Sequence, residues 1–330
     1  MRDIFHGLFG YFSRLSPRKA LLLVTCVVVI IFSFYFRLIA APAAFPDGFL
    51  YEIPRGTALS SVASELAARH IIRSEFLFKG FVTIFGFGRG AIAGDYEFDS
   101  ADNVLLVSYR VARGGYNLSR IRITIPEGTS SAQMEKFFDS RFYRFDSKAF
   151  ISLGKKYEGY LFPDTYYFLP NVTTEEVVDT MLANYKSKIA DIADAIKKFN
   201  KPIRDVIIMA SIIEEEARTT ESRRTIAGIL WKRLSERMPL QVDATFAFVN
   251  GKTRSSDLSL EDLKIDSPYN TYLYRGLPPG PISNPGIDSI LSVVTPITTK
   301  YYFYLSDKDG NMHYAVTHDE HVANKFKYLK

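Results

Sequence analysis

The sequence predicts an α+β protein with a single N-terminal transmembrane helix. Three observations indicate this: an uncharged apolar run near the N-terminus, a strand–turn–helix pattern that occurs twice after it, and a strongly apolar helix pattern that ends in three glutamates. With 330 residues, 47% of them hydrophobic and 23% charged, the composition excludes a disordered chain, a coiled coil and a multi-span membrane protein.

The positive charge is concentrated at the N-terminus. Residues 1–37 carry five basic residues and one acid, whereas the whole chain has a net charge of +5. The remainder is therefore nearly neutral, and we expect no nucleic-acid partner. The single cysteine, Cys26, excludes an intrachain disulfide and a cysteine-ligated zinc site. The C-terminal histidines lack the H-E-x-x-H spacing. We therefore expect no metal and no cofactor.

The apolar run at residues 20–40 predicts a membrane anchor, because a helix of about 20 apolar residues crosses a bilayer core. Basic side chains flank its N-terminal end, so the positive-inside rule predicts a cytoplasmic leader, residues 1–19. The rest of the chain would then be periplasmic or extracytoplasmic, held at the cytoplasmic (inner) membrane. Two alternatives stay open: a buried core helix, and a signal peptide cleaved near Ala41-Pro42-Ala43, although signal h-regions are usually about 7–15 residues long.

The strand–turn–helix pattern defines two candidate units. Phe49 to Ile53 leads into Pro54-Arg55-Gly56-Thr57, and Ile121 to Ile125 leads into Pro126-Glu127-Gly128-Thr129. In each case the proline ends the strand, the glycine supplies the turn, and a threonine or serine caps the following helix. Chance recurrence of a common helix cap is one explanation, and two related small α+β units are the other.

The first unit, residues 45–120, resembles the LysM-like fold of a strand, two helices and a strand. Residues 71–87 would form the second helix and residues 91–98 the second strand. The resemblance implies binding of N-acetylated glycans, although LysM-like folds also occur without a sugar-binding role.

The end of the strongly apolar helix holds the main catalytic candidate. Residues 206–213 are almost wholly apolar and lead into three consecutive acids, Glu214 to Glu216. Consecutive helical residues point about 100° apart, so the three acids cannot share one environment. Glu214 lies over Ala210 and Ser211, whose small side chains predict a hollow. A partly buried carboxyl has a raised pKa and can act as a general acid near neutrality. A solvated acidic helix end is the alternative.

Amide and aromatic side chains in the loops further along the chain are candidates for lining a carbohydrate-binding cleft. Amide side chains can hydrogen-bond to acetamido and carboxylate groups, and aromatic rings can face sugar C–H surfaces. Ordinary glycosidases also need a second carboxylate, at about 5–5.5 Å in retaining enzymes or 6.5–9.5 Å in inverting ones. The candidates for this second carboxylate are Asp243, Glu158 and Asp164.

Together, these motifs resemble the endolytic murein transglycosylase family, also called MltG or YceG-like, over nearly the whole chain. The resemblance implies a YceG-like catalytic domain at residues 121–330 and assigns the catalytic acid to Glu214. Glu215 and Ala217 depart from the family's usual residues, which leaves Glu216 as the alternative acid. The motifs are the Ile-Pro-x-Gly-Thr turns, residues 158–165, 210–214, 240–245, 267–272 and 276–282.

The resemblance also implies a reaction. Members of the family cleave the β-1,4 bond between N-acetylmuramic acid and N-acetylglucosamine inside nascent peptidoglycan strands. The product carries a 1,6-anhydro end, which would terminate strand elongation. Glu214 alone would serve as acid and then as base. The expected substrate-binding residues are Glu158, Gln241, Asp243, Asn270 and Tyr272.

Peptidoglycan strands are the expected binding partner, and cell-wall synthases are candidate partners. Two other functions stay open: a membrane-anchored peptidoglycan-binding or scaffold protein without catalysis, and a hydrolytic muramidase that uses two carboxylates.

Overall fold

The computed structural model describes residues 16–46, 48–251 and 258–329. The chain forms two compact units that divide between Ser119 and Arg120. Each unit combines helices with short antiparallel strand pairs, which confirms the predicted mixed α+β class.

The N-terminal helix α1 (Pro17–Phe34) continues into a π-helical turn at Tyr35–Ile39. None of its residues is buried, so the alternative of a buried core helix is not supported. Over Pro17–Ile39, 23 residues, it is long and apolar enough to cross a membrane, and it is compatible with a single-pass anchor. Most of the predicted leader, residues 1–15, lies outside the described residues.

The first unit then contains two strands and three helices. They are β1 (Phe49–Ile53), α2 (Leu59–Ala68), α3 (Glu75–Phe85), β2 (Gly94–Phe98) and α4 (Val104–Arg113). The antiparallel pair β1–β2 places Phe49 opposite Phe98 and Ile53 opposite Gly94. The predicted second helix and second strand are confirmed, whereas α4 was not predicted.

The second unit begins with the same order of elements. It contains β3 (Ile121–Thr124), α5 (Ser131–Phe138), α6 (Ser147–Lys156) and β4 (Thr165–Phe168), with β3 and β4 antiparallel. A capping box between Ser130 and Gln133 starts α5. The repeated strand–helix–helix–strand order favours two related units over chance recurrence.

The rest of the second unit is mainly helical and ends in a hairpin followed by one more helix. Its elements are α7 (Thr174–Asp191), α8 (Ala193–Phe199), α9 (Ile203–Glu216), α10 (Thr220–Ser235), α11 (Thr245–Asn250), a 3-10 turn (Asp262–Lys264), α12 (Ile287–Val294), β5 (Phe303–Ser306), β6 (Met312–Ala315) and α13 (His318–Tyr328). The strands β5 and β6 pair antiparallel as a hairpin.

Helix α9 is the central element of this unit. Every residue from Val206 to Ile213 is buried, as the sequence predicts, and α9 packs against α10 and α12. Burial of each large aliphatic side chain contributes about 1.5–3 kcal/mol, so α9 is a rigid base for its last turn. The helix ends where Ala217 adopts an extended backbone, which leaves the three glutamates at the edge of the core.

Candidate active site

A cavity of about 1100 Å³ opens at the C-terminal end of α9. Its walls come from the last turn of α9 and the residues after it, the segment around Gln241 to Ala244, Tyr272, the β5–β6 hairpin and α13. Sites for small ligands usually measure about 300–1,000 Å³. The cavity therefore has room for part of a polymer.

The Glu214 carboxyl is fixed in the wall of this cavity. Its side chain is only 6% exposed. Arg223 Nη2 donates to Glu214 Oε1 at 2.5 Å, and the backbone N–H of Gly286 donates to Oε2 at 2.9 Å. Because each oxygen has its own donor, the orientation of the carboxyl is set before any substrate arrives.

The predicted hollow over Ala210 and Ser211 is occupied by the protein itself. The Ser211 hydroxyl accepts the backbone N–H of Ile282 at 3.0 Å, and Ser283 Oγ donates to the Ser211 carbonyl at 3.3 Å. The small side chains therefore let the segment Ile282–Gly286 lie against α9. That segment delivers the Gly286 N–H to Glu214.

Arg223 joins Glu214 to a second acid. Its Nη1 donates to Asp288 Oδ2 at 2.7 Å, and its Nε donates to the carbonyl of Ala217 at 3.1 Å. The Arg223 side chain is 11% exposed and that of Asp288 is 32% exposed. Charge-assisted bonds to a planar guanidinium are strong and directional, so Arg223 holds the end of α9 against the start of α12.

Glu127 is a third acid in this cluster, and it was not among the predicted site residues. It lies in the turn after β3, where a β-carbon added to Gly286 would lie 1.9 Å from Glu127 Oε1. Burial and the nearby Glu214 carboxylate raise the pKa of Glu127, Arg223 opposes this rise, and Asp288 adds to it. Comparison of the two repeated turns could have found it, because the first turn has Arg55 at the matching position.

Glycine at position 128 allows this turn to approach α9. Gly128 has φ +78°, and a β-carbon there would lie 2.7 Å from Glu215 Oε1 and 3.4 Å from Glu214 Cγ. Its N–H donates to the Asn284 carbonyl at 3.0 Å. The turn therefore contributes both Glu127 and a backbone anchor to the site.

Glu216 forms a second acidic group on another side of the helix end. Tyr304 donates its hydroxyl to Glu216 Oε2 at 3.1 Å, and Ala244 donates its N–H to Oε1 at 3.4 Å. Burial, together with the charge of Asp243, raises the pKa of Glu216 to about 7. Asp243 in turn accepts the Tyr272 hydroxyl at 2.5 Å.

The sequence profile of the YceG-like family matches residues 51–327. The chain belongs to the YceG-like family. This confirms the resemblance that the motifs predicted. A curated relative, the endolytic murein transglycosylase of Bacillus subtilis (strain 168), is 32% identical over 305 residues, which is 84% of this chain and 84% of the relative.

Two further YceG-like relatives show how far the similarity extends. The endolytic murein transglycosylase of Streptococcus pneumoniae serotype 2 (strain D39) is 34% identical over 177 residues, 52% of this chain and 32% of that protein. The crystal structure of a protein described as yceG-like from Listeria monocytogenes is 27% identical, covers 84% of this chain and 99% of that chain, and has a TM-score of 0.56.

Three of the predicted substrate-binding residues of this YceG-like protein line the cavity: Gln241, Asp243 and Tyr272. Burial and the hydrogen bond to Asp243 raise the pKa of Tyr272, so its hydroxyl stays protonated and donates. Gln241 is exposed and has φ +49°. These three residues can therefore reach a ligand in the cavity.

The other two predicted residues, Glu158 and Asn270, are not among the described residues that line the cavity. Glu158 is 8% exposed and accepts from Ser131 N, from Ser131 Oγ at 2.5 Å and from Asn284 Nδ2 at 2.8 Å. Asn270 is fully buried and donates to the carbonyls of Leu263 and Ile265. Their polar atoms are engaged inside the protein, so they position the loops of the site.

The C-terminal histidines do not form a metal site. His313 Nε2 lies 2.9 Å from Asp307 Oδ2, and His318 and His321 line the cavity. Across residues 16–46, 48–251 and 258–329, no group of three or more His, Cys, Asp or Glu residues could hold a metal ion.

Proposed function

We propose that the protein is an endolytic peptidoglycan lytic transglycosylase. It cleaves the β-1,4 bond between N-acetylmuramic acid and N-acetylglucosamine within nascent strands, leaves a 1,6-anhydro end and so terminates strand elongation. One observation carries the proposal: Glu214 is held by Arg223 and by the Gly286 N–H in the wall of a cavity large enough for a glycan. The endolytic murein transglycosylases among its relatives support it.

The reaction needs one carboxyl that acts twice. Glu214 donates a proton to the glycosidic oxygen as the bond between C1 and that oxygen breaks. The C6 hydroxyl of the muramyl residue then closes on C1, and the Glu214 carboxylate accepts its proton. No water is consumed, and Glu214 returns to its starting state.

Glu127 is a positioning residue in this scheme. Glu214, Asp288 and Glu127 surround one cation, Arg223, so full ionisation of all three acids would leave net negative charge in a largely buried cluster. Burial and the Glu214 carboxylate raise the pKa of Glu127, and its carboxyl lies against Gly286, whose N–H orients Glu214.

A hydrolytic muramidase is the second candidate. The observation that favours it is the presence of other carboxylates at the site, namely Glu127 beside Glu214 and the pair Glu216–Asp243. Such an enzyme would need one carboxylate to activate water or to act as a nucleophile.

The test uses the full chain in detergent with uncross-linked peptidoglycan strands and mass spectrometry of the products. An anhydro end weighs one water less than a hydrolytic end, which separates the two enzymes. Glu214→Gln should lower cleavage by about 10²–10⁴-fold, the usual effect of losing a general acid, whereas the matched variants Glu215→Gln and Glu216→Gln should lower it much less. Loss of cleavage in Glu216→Gln alone would move the acid to Glu216, and no cleavage by the wild type would indicate a scaffold protein.

The proposed function also implies a domain organisation. Residues 20–40 anchor the chain with residues 1–19 in the cytoplasm, residues 45–120 form a LysM-like unit, and residues 121–330 form the catalytic domain at the outer face of the cytoplasmic membrane. Protease treatment of spheroplasts should degrade everything beyond the anchor, while a tag on the N-terminus should survive. Cross-linking in the same cells would reveal a cell-wall synthase as a partner.

A further inference from the structure

The lining of the cavity carries charges of both signs. The acidic wall consists of Glu214, Glu215, Glu216 and Asp243, at the end of α9 and in the following loop. The positive charges come from residues that we call the basic wall: Arg218, Arg233 and Lys325. The acidic wall contains the proposed catalytic group, but the reaction described above gives the basic wall no role.

Arg233 is a buried cation whose hydrogen bonds go to carbonyl oxygens, and the Glu216 carboxyl is the acid that acts on its charge. It is 4% exposed, and its Nε and Nη1 donate to the carbonyls of Tyr302 and Leu240, both at 2.7 Å. Carbonyl oxygens satisfy hydrogen bonds but do not neutralise the charge. The Arg233 guanidinium therefore places a positive charge in the lining of the cavity.

Arg218 and Lys325 extend this wall. Both are exposed, and neither forms an ion pair with a carboxylate in the described part of the chain. Arg218 Nη1 lies 3.7 Å from the place where a β-carbon on Gly310 would stand, so it reaches the turn of the β5–β6 hairpin. The two cations are therefore available to a ligand.

Burial and the positive charges of the basic wall lower the pKa of His321. Its Nδ1 is buried and has no hydrogen-bond partner. Burial, Lys325, Arg233 and His318 lower the pKa of His321 to about 4, so the imidazole is neutral near pH 7. A ligand that brings negative charge into the cavity would offset this excess of positive charge.

We propose that the basic wall binds the carboxylates of the stem peptide that a muramyl residue carries, so that the site selects stem-bearing strands. This inference rests on the proposed function. The sugar rings of a strand are uncharged, and the lactyl group is neutral while it is amide-linked to its peptide, so the free carboxylates of the stem are the anions that a muropeptide presents. Arginine binds a carboxylate through two parallel hydrogen bonds, and lysine binds it as a point charge.

The first arm of the test measures selectivity with the full chain in detergent. Two substrates are compared: uncross-linked strands with intact stems, and the same strands after an amidase has removed the stems. The wild type should have the higher kcat/KM on stem-bearing strands, and the double variant R218Q/K325Q should reduce that preference about tenfold. The matched control K136Q/K186Q removes two exposed charges outside the cavity and should keep the preference. Arg218→Lys should retain part of it.

The second arm measures binding without cleavage. In a Glu214→Gln background, fluorescence anisotropy of labelled stem-bearing strands should show weaker binding for R218Q/K325Q than for K136Q/K186Q, with a difference that shrinks as salt rises. Circular dichroism checks that each variant is folded. If the double variant keeps both the preference and the binding of the control, the inference is overturned. If the wild type cleaves neither substrate, the proposed function fails, and the binding arm still decides the role of the basic wall.

Discussion

Gly286 lies so close to Glu127 that a β-carbon added to Gly286 would stand 1.9 Å from Glu127 Oε1. The same glycine donates its N–H to the Glu214 carboxyl at 2.9 Å. The missing side chain therefore lets one backbone position contact two acids from distant parts of the chain.

Replacing this glycine should damage the site directly. In Gly286→Ala the new methyl group would displace the Glu127 carboxyl or move the N–H away from Glu214, so we expect cleavage to fall at least tenfold. Gly80→Ala in α3 is the matched control, because its added methyl meets nothing within 4 Å and alanine favours a helix. Product assays and melting curves of both variants check this, and an unimpaired Gly286→Ala would contradict the arrangement.

Arg223 should matter for stability as well as for catalysis. Arg223→Ala leaves Glu214 and Asp288 without their cation, and breaking a buried pair from one side costs about 3–5 kcal/mol. Asp288→Asn should cost less, since Asp288 is more exposed than Glu214. Denaturant unfolding of the two variants measures the difference. Equal losses would show that Arg223 acts through Asp288 rather than Glu214.

Glu216 should make stability depend on pH. Its pKa in the folded protein is about 7, above the ordinary value of 4.5, so folding favours the protonated form. This stabilisation is complete below pH 4.5 and is lost as the pH rises towards 7. Between pH 5 and pH 8 the wild type should lose about 3 kcal/mol relative to Glu216→Gln.

Asp243→Asn serves as the control for this pH effect. It removes the neighbouring charge that raises the Glu216 pKa, so the midpoint of the pH effect should move to lower pH. Because the two acids interact, the measured midpoint belongs to the pair. If the free energy of unfolding depended on pH in the same way for the wild type and Glu216→Gln, the proposed environment of Glu216 would be ruled out.

Glu158 should act on stability rather than on substrate binding. In Glu158→Gln the amide group would face donors on Ser131 and Asn284, which leaves buried groups unsatisfied at a cost of about 1–3 kcal/mol. We expect a lower melting temperature with little change in KM. A strongly raised KM without loss of stability would return Glu158 to the substrate-contacting residues.

The sequence predicted those elements of the fold whose signals lie within a single segment of the chain. The apolar run became α1, the Pro-Glu-Gly-Thr turn began α5 after β3, and the apolar stretch at residues 206–213 became the buried part of α9. Helix α13 was missed, although Thr317 and Glu320 form a capping box at its start. Local propensity and capping are visible in one segment of sequence, and this is the level at which prediction was most successful.

The site was less predictable because it depends on contacts between distant segments. Small residues at 210 and 211 suggested open space, yet Ile282 and Ser283 bond to Ser211 there. Glu158 and Glu127 are both acids next to glycines in turns, but only their tertiary partners show that Glu158 braces Ser131 while Glu127 faces Glu214. Sequence pattern alone does not distinguish an acid that holds a loop from one that meets a ligand.

The spacing of the Glu214 cluster along the chain also determines when the proposed active site can first assemble. The cluster's acids and donors are spread from Glu127 to Gly286, over more than half of the second unit, so the cluster can form only after Gly286 has been synthesised. A ribosome-bound fragment that ends before Gly286 contains Glu214, the proposed general acid, but lacks the N–H donor that orients it. The proposed site for cleaving peptidoglycan is thus complete only once almost the entire polypeptide has been made.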